Sequence, residues 1–138
     1  MPHCPRRTIT YVALALAGLL ATACSSFGPG SEVVCTMNIE PGLIVEITDA
    51  ATGRALADSA QGTAQDGAYV DTLRAYESHS QLPADLYSRA GASERPGTYS
   101  VTVTRPGYQA WTAARVRVEN GECHVKTVRL LAKLVPAS

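Results

Sequence analysis

GTYSVTVTRPGY, residues 97–108, is the stretch that decides the fold. Tyr99, Val101 and Val103 alternate with Thr98, Ser100, Thr102 and Thr104. Successive strand side chains point to opposite faces, so this order gives one apolar face and one hydroxyl face. Valine, threonine and tyrosine suit a pleated, half-buried surface. Pro96-Gly97 opens the strand, and Arg105-Pro106-Gly107-Tyr108 turns the chain at its far end. Proline fixes φ and glycine frees it, which is what a tight turn needs.

The same pattern extends in both directions. Downstream, Ala110 to Val118 places Val116 and Val118 inward and Arg115 and Arg117 outward. Glu119-Asn120-Gly121 then predicts a hairpin, since Asn-Gly suits a type I′ turn. Glu122 to Leu134 is the last predicted strand; its phase slips between Val125 and Val128, which predicts a bulge. Upstream, Leu43, Val45 and Ile47 alternate with Glu46 and Thr48, and Asp49-Ala-Ala-Thr-Gly53 closes that strand. VVCTMN (33–38) reads as a first strand, Arg54 to Thr63 as a weaker one and Ala68 to Leu73 as another. Residues 75–96 are polar and without period, a long irregular stretch of the kind that carries function or disorder. No segment of 33–138 shows a helical period. Short strands between Gly/Pro turns predict one all-β sandwich domain over 33–138.

The N-terminal end has a different character. MPHCPRR (1–7) is polar and ends in two arginines, and an apolar run, TITYVALALAGLLATA, follows to Ala23. Positive start, apolar middle and small residues before a cut are the three parts of a secretory signal. Thr8 to Ala23 is short of the roughly 17–25 residues of a spanning helix. Arg6-Arg7 lacks the rest of a twin-arginine motif. SSFGPGSE (25–32) is small, polar and broken by Gly-Pro-Gly, the composition of a flexible tether.

Removing residues 1–23 leaves ten basic and twelve acidic side chains. That balance argues against nucleic acid, which needs a dense basic face. Of four cysteines, Cys4 lies in the signal and Cys24 at its end, leaving Cys35 and Cys123. An exported chain meets an oxidising compartment, so these two are expected to pair. Chain-entropy arithmetic gives about 4.6 kcal/mol as an upper figure for a closure of that length. Neither sits in a C-x-x-C, and two sulfurs alone make no zinc site.

Leu20-Ala21-Thr22-Ala23-Cys24 resembles the lipobox of bacterial lipoproteins. Ala23 fits its last small position; the leucine stands one place earlier than usual. The resemblance implies cleavage before Cys24, a diacylglyceryl group on its thiol and acylation of its freed amine. At about 0.8 kcal/mol per buried methylene, such chains hold a protein to a membrane without a helix. Ser25 lacks an acidic retention signal, which for a Gram-negative lipoprotein implies the outer membrane.

VEITDAATGRAL (45–56), GTYSVTVTRPGYQAW (97–111) and VRVENGECHVKTVRL (116–130) together resemble the carboxypeptidase regulatory-like domain. That domain is a seven-stranded Greek-key sandwich related to transthyretin. The resemblance spans about residues 33–135 and implies a non-catalytic accessory or binding module of the cell envelope. Two enzyme classes on related folds do not fit. Intradiol dioxygenases use a His-x-His pair, absent here, and hydroxyisourate hydrolases end in Tyr-Arg-Gly-Ser, where this chain ends Val-Pro-Ala-Ser.

Chemistry-bearing motifs are few. No phosphate loop, H-E-x-x-H or G-x-S-x-G is present, and nothing calls for a cofactor or metal. His124 falls in the last predicted strand. His79, Glu77 and Asp85 share the irregular stretch without metal-ligand spacing. Tyr76, Tyr87 and Trp111 are the aromatic candidates for contact with a partner protein or a sugar. Trp111 also suits core packing, whereas Tyr99 is inward by phase. The expected function is a lipid-anchored binding or assembly module, with a carbohydrate-binding module as the second possibility.

Overall fold

The computed structural model describes residues 33–76 and 88–138. The predicted signal segment 1–23, Cys24, the predicted tether 25–32, His79 and Tyr87 lie outside the described residues. Nine strands occur among those described: β1 (Leu43–Asp49), β2 (Gln61–Asp66), β3 (Tyr69–Thr72), β4 (Arg74–Ala75), β5 (Ser88–Gly91), β6 (Gly97–Thr104), β7 (Trp111–Asn120), β8 (Val125–Lys126) and β9 (Val128–Leu134). One sheet has the order β4-β5-β1-β9 and the other β3-β2-β6-β7-β8. The described residues are therefore all-β, in two sheets. All pairings are antiparallel except β1 with β9, which run parallel.

The predicted faces form the core. Leu43, Val45 and Ile47 of β1 and Tyr99, Val101 and Val103 of β6 are all completely buried. Ala132 and Leu134 of β9 and Val116 and Val118 of β7 join the same cluster. Tyr99 is the largest of the fully buried side chains. Its hydroxyl donates to the Arg95 carbonyl at 2.9 Å, so the ring is buried without leaving a polar atom unpaired. This is the tyrosine-corner arrangement of β-sandwiches, in which a strand tyrosine ties back to backbone a few residues upstream.

The phase slip near the C-terminus has a larger meaning than a bulge. β8 pairs with β7 in one sheet, and β9 pairs with β1 in the other. The chain thus changes layers at Thr127, as strands do at sandwich corners. The Thr127 hydroxyl donates to the Pro41 carbonyl at 2.8 Å, and the Val128 amide donates to the Gly42 carbonyl at 2.8 Å. The bulge itself lies in β7. Tyr99 pairs with Val116 but Val101 with Ala113, and Arg115 takes φ 55°. One extra residue there resets the phase, so that Trp111 and Ala113 pack inward along with Val116 and Val118.

Four expectations need correction. Residues 33–38 form no strand: Val33, Val34 and Met37 are 45%, 85% and 100% exposed. An apolar, β-branched run becomes a strand only by pairing with a neighbour, and no strand among the described residues pairs with 33–38. Arg54 to Thr63 is not one strand. It contains a single bridge from Ala55 to Thr48, a 3-10 turn at Ala57–Ser59 and only then β2. The stretch 75–96 is not wholly irregular, because β5 lies in it and pairs with β1. A four-residue strand of Ser, Arg, Ala and Gly has too little pattern to be seen alone. Finally, Asn120-Gly121 makes no two-residue turn. The β7–β8 connection runs over residues 121–124, closed by the Gly121 amide donating to the His124 carbonyl at 2.7 Å. A β-carbon on Gly121 would stand 2.5 Å from that carbonyl oxygen, so glycine is there for closeness.

Candidate functional site

Residues 33–42 run along one end of the domain as an arm, and several bonds hold them there. The Cys35–Cys123 disulfide closes with its Cα atoms 5.3 Å apart and joins positions 88 residues apart in the chain. Beside it, Thr36 Oγ1 lies 3.1 Å from His124 Nε2, and His124 Nδ1 lies 2.7 Å from Glu94 Oε1. The Glu94 carboxylate also accepts the Glu40 amide at 2.7 Å. That backbone donor, with the nearby imidazole, holds the Glu94 carboxyl below the usual range despite some desolvation. The Glu94 amide returns a bond of 3.0 Å to the Glu40 carbonyl. A carboxylate accepts only, so Nδ1 donates to Glu94, and Nε2 shares the second bond with the Thr36 hydroxyl.

Hydroxyl, imidazole and carboxylate stand here in the order of an acyl-transfer triad. Here, however, the hydroxyl belongs to the arm, and its bond to His124 adds to the fastening beside the disulfide.

The turn that carries Glu94 is strained. Ala92 and Glu94 both have positive φ, at 53° and 48°, which costs a non-glycine residue on the order of 1–3 kcal/mol. Compensating bonds surround it. The Ala92 amide donates to Asp71 Oδ2 at 2.7 Å, and the Ala92 carbonyl accepts the amides of Gly42 and Arg95, both at 3.2 Å. Ser93 lies between the two strained residues.

A cleft of about 400 Å³ opens beside this turn, between the arm, β3, β4 and β5. Ile39 and Pro41 of the arm line it, with Tyr69, Asp71 and Arg74, Tyr76 and Ser93. The Tyr69 ring is fixed from two sides. Its ring stands edge-on to that of Tyr99 at 6.4 Å, and the Arg95 guanidinium lies 4.0 Å from its centroid. A cation over an aromatic face is attractive, and the contact holds Arg95 near Asp66, 3.8 Å away. The cleft thus combines ring surface, a carboxylate and a guanidinium, the set that binds polar, ring-bearing or peptide-like ligands.

The opposite end has its own carboxylate knot. Asp49, only 7% exposed, accepts the amides of Ala51 and Thr52 at 2.9 and 2.8 Å and the Tyr108 hydroxyl at 2.9 Å. The Thr52 amide first, then the Tyr108 hydroxyl, lower its pKa to about 2. The Asp49–Gly53 turn and the Pro-Gly-Tyr turn, far apart in sequence, are therefore one structure.

The predicted site residues divide accordingly. Cys35 and Cys123 are joined. Tyr76 lies in the cleft, partly buried. Trp111 is not in the cleft; it packs partly buried against the core. Cys24 and Tyr87 fall outside the described residues. His124, read as a plain strand residue, instead sits in the 121–124 connection and bonds across to the arm. Tyr69, Asp71, Thr36 and Glu94 were not visible as site residues in the sequence. Only the neighbourhood of Thr36 to Cys35 and of His124 to Cys123 could have brought two of them together. Among the described residues no three His, Cys, Asp or Glu side chains gather as a metal site, and no helix is long and apolar enough to cross a membrane. No protein-family model and no curated protein matches the chain.

Proposed function

We propose that the chain is a lipid-anchored protein of the cell envelope, held through Cys24, whose sandwich domain is a non-catalytic binding or assembly module. The lipobox-like residues before Cys24 support the anchor, and Ser25 favours the outer membrane where the host is Gram-negative. The observation that carries the binding role is the cleft beside the strained 92–95 turn. Strained backbone persists where surrounding bonds over-determine it, and such places cluster at ligand sites. The finer fold we propose is the seven-stranded Greek-key, carboxypeptidase regulatory-like sandwich. Seven of the strands among the described residues have four or more residues, and the two turn motifs of the resemblance meet at the Asp49–Tyr108 bond.

The partner is another envelope protein that lays a polar segment into the cleft. A photo-reactive phenylalanine analogue at Tyr76 should trap one adduct of defined mass in intact cells, and the same analogue at exposed Thr52 should trap none. Equal trapping at both positions would refute the cleft as the contact. A glycan is the second reading, favoured by Tyr76 standing beside Asp71 and Arg74. Binding of the detergent-solubilised full chain on a glycan array, lost in Tyr76→Ala, would establish it in place of the first. The absence of catalysis is tested by chromogenic esters: Thr36→Val should turn over no less than the parent chain. A Thr36-dependent hydrolysis would make the Thr36–His124–Glu94 set an active site.

A further inference from the structure

We infer that the arm formed by residues 33–39 rests on the lipid bilayer itself, so that the domain is seated on the membrane rather than hung from it. The inference rests on the proposed lipid at Cys24. Val33, Val34, Met37 and Ile39 are 45%, 85%, 100% and 76% exposed. They are four of the seven large exposed hydrophobics among the described residues, and they fall within seven consecutive positions. Exposed apolar side chains scattered singly need no explanation; a run of this kind marks a contact surface.

The arm is not a frayed terminus that happens to be apolar. The disulfide fixes Cys35, His124 holds Thr36, Glu94 holds the Glu40 amide and Thr127 holds the Pro41 carbonyl. The backbone is pinned while the side chains of Val34 and Met37 face water. Such a surface is preformed for an apolar partner and loses little conformational freedom on contact.

Chain length selects the bilayer as that partner. Eight residues lie between Cys24 and Val33, and a fully extended chain reaches about 3.6 Å for each step from one residue to the next. The arm therefore lies within about 32 Å of the acylated residue, nearer to the lipid than any other part of the described domain along the chain. Residues 33–39, VVCTMNI, carry no charge, so nothing in them resists entry to the headgroup boundary, where apolar side chains gain by burial of a few ångströms. The Asp49–Gly53 turn, at the other end of β1, is about 20 Å away by the rise of a seven-residue strand, and it should stand clear.

The test uses the full chain, made with its signal in a bacterial host and reconstituted in vesicles of phosphatidylethanolamine and phosphatidylglycerol. A benzophenone amino acid replaces either Met37 or Thr52, and lipid adducts and Cys24 acylation are read by mass spectrometry. Met37 should give at least tenfold more phospholipid adduct than Thr52. Adding Val34→Asp and Ile39→Asp should cut the Met37 yield at least fivefold while a non-reducing gel still shows the Cys35–Cys123 bridge closed. Acylated Cys24 with no excess at Met37 would overturn the seated arm and leave the anchor standing. Adducts from Met37 to a protein or to a second copy of the chain, in place of lipid, would overturn it too. Met37 adducts on a chain bare at Cys24 would keep the arm contact and remove the anchor. Absence of both would remove both.

Discussion

The two ends of the sandwich solve one problem in different ways. Each has a carboxylate that gathers backbone amides and one ring-bearing side chain. At one end Asp49 takes two amides and the Tyr108 hydroxyl; at the other Glu94 takes the Glu40 amide and the His124 imidazole. Yet Asp49 is buried and Glu94 is exposed. Main-chain bonds knit both ends, from Ala50 to Leu134, Gln109 to Val135 and Ala137 to Gly107 around Asp49, and from Glu94 to Glu40 and Gly42 to Ala92 around Glu94. Around Glu94, residues 33–39 of the arm are all exposed, and a covalent bridge stands in place of burial. An end that keeps its apolar side chains outside cannot be held by burial, so it needs a crosslink.

Breaking the crosslink is the most severe test of that contrast. Cys35→Ser with Cys123→Ser should cost about 2–4 kcal/mol in urea unfolding. Amide exchange should rise first over residues 33–42, while Ala50 and Gly53 keep their protection. A loss spread equally over both ends would mean that the bridge serves the whole domain.

Glycine substitutions sharpen the contrast at each end. Gly121→Ala forces a β-carbon against the His124 carbonyl and should cost about 1–3 kcal/mol, as overpacking does. Gly53 has φ 71° and nothing within 4 Å of a β-carbon position. Gly53→Ala should therefore cost only about 1 kcal/mol, and Gly53→Asn less, since asparagine tolerates the left-handed region. Thermal unfolding of the three variants ranks them. If Gly53→Asn proves the worst, space and not φ governs that turn as well.

Acid separates the carboxylates next. Asp49 has a pKa lowered to about 2, against an ordinary value near 3.9. Its contribution is complete above the ordinary value and is lost as pH falls toward 2. Glu94 is lowered too, so both ends lose stability on the acid side. Asp49→Asn should flatten the pH dependence of stability below pH 4, and Tyr108→Phe should flatten it in part. The smallest effect belongs to Thr36→Val. Stability should change by less than about 0.5 kcal/mol, as at a surface site, while exchange of the arm amides rises measurably.

Much of the fold was legible because strand period and turn chemistry are local. The faces of β1 and β6 follow from the alternation of Leu43, Val45 and Ile47 and of Tyr99, Val101 and Val103. The bridge was legible from counting cysteines. What could not be read was set by pairing at long range. Val33 and Val34 have strand-forming side chains but pair with no strand, and β5 has few such side chains yet is accepted by β1. Asn120-Gly121 has the composition of a two-residue turn, but Cys123 must reach Cys35, and the connection lengthens. The cleft was least visible, since Tyr69, Asp71 and Tyr76 acquire a common purpose only when the arm and β5 close around them.

The parallel pairing of β1 with β9 has a consequence for the order of folding. Leu43 has its partner in Val128 and Asp49 in Leu134. The first layer therefore stays incomplete until β9, the last of the described strands, has joined it. The two partners stand far apart in the sequence, so this pairing carries a large loop-closure cost and should form late in folding, after the antiparallel hairpins.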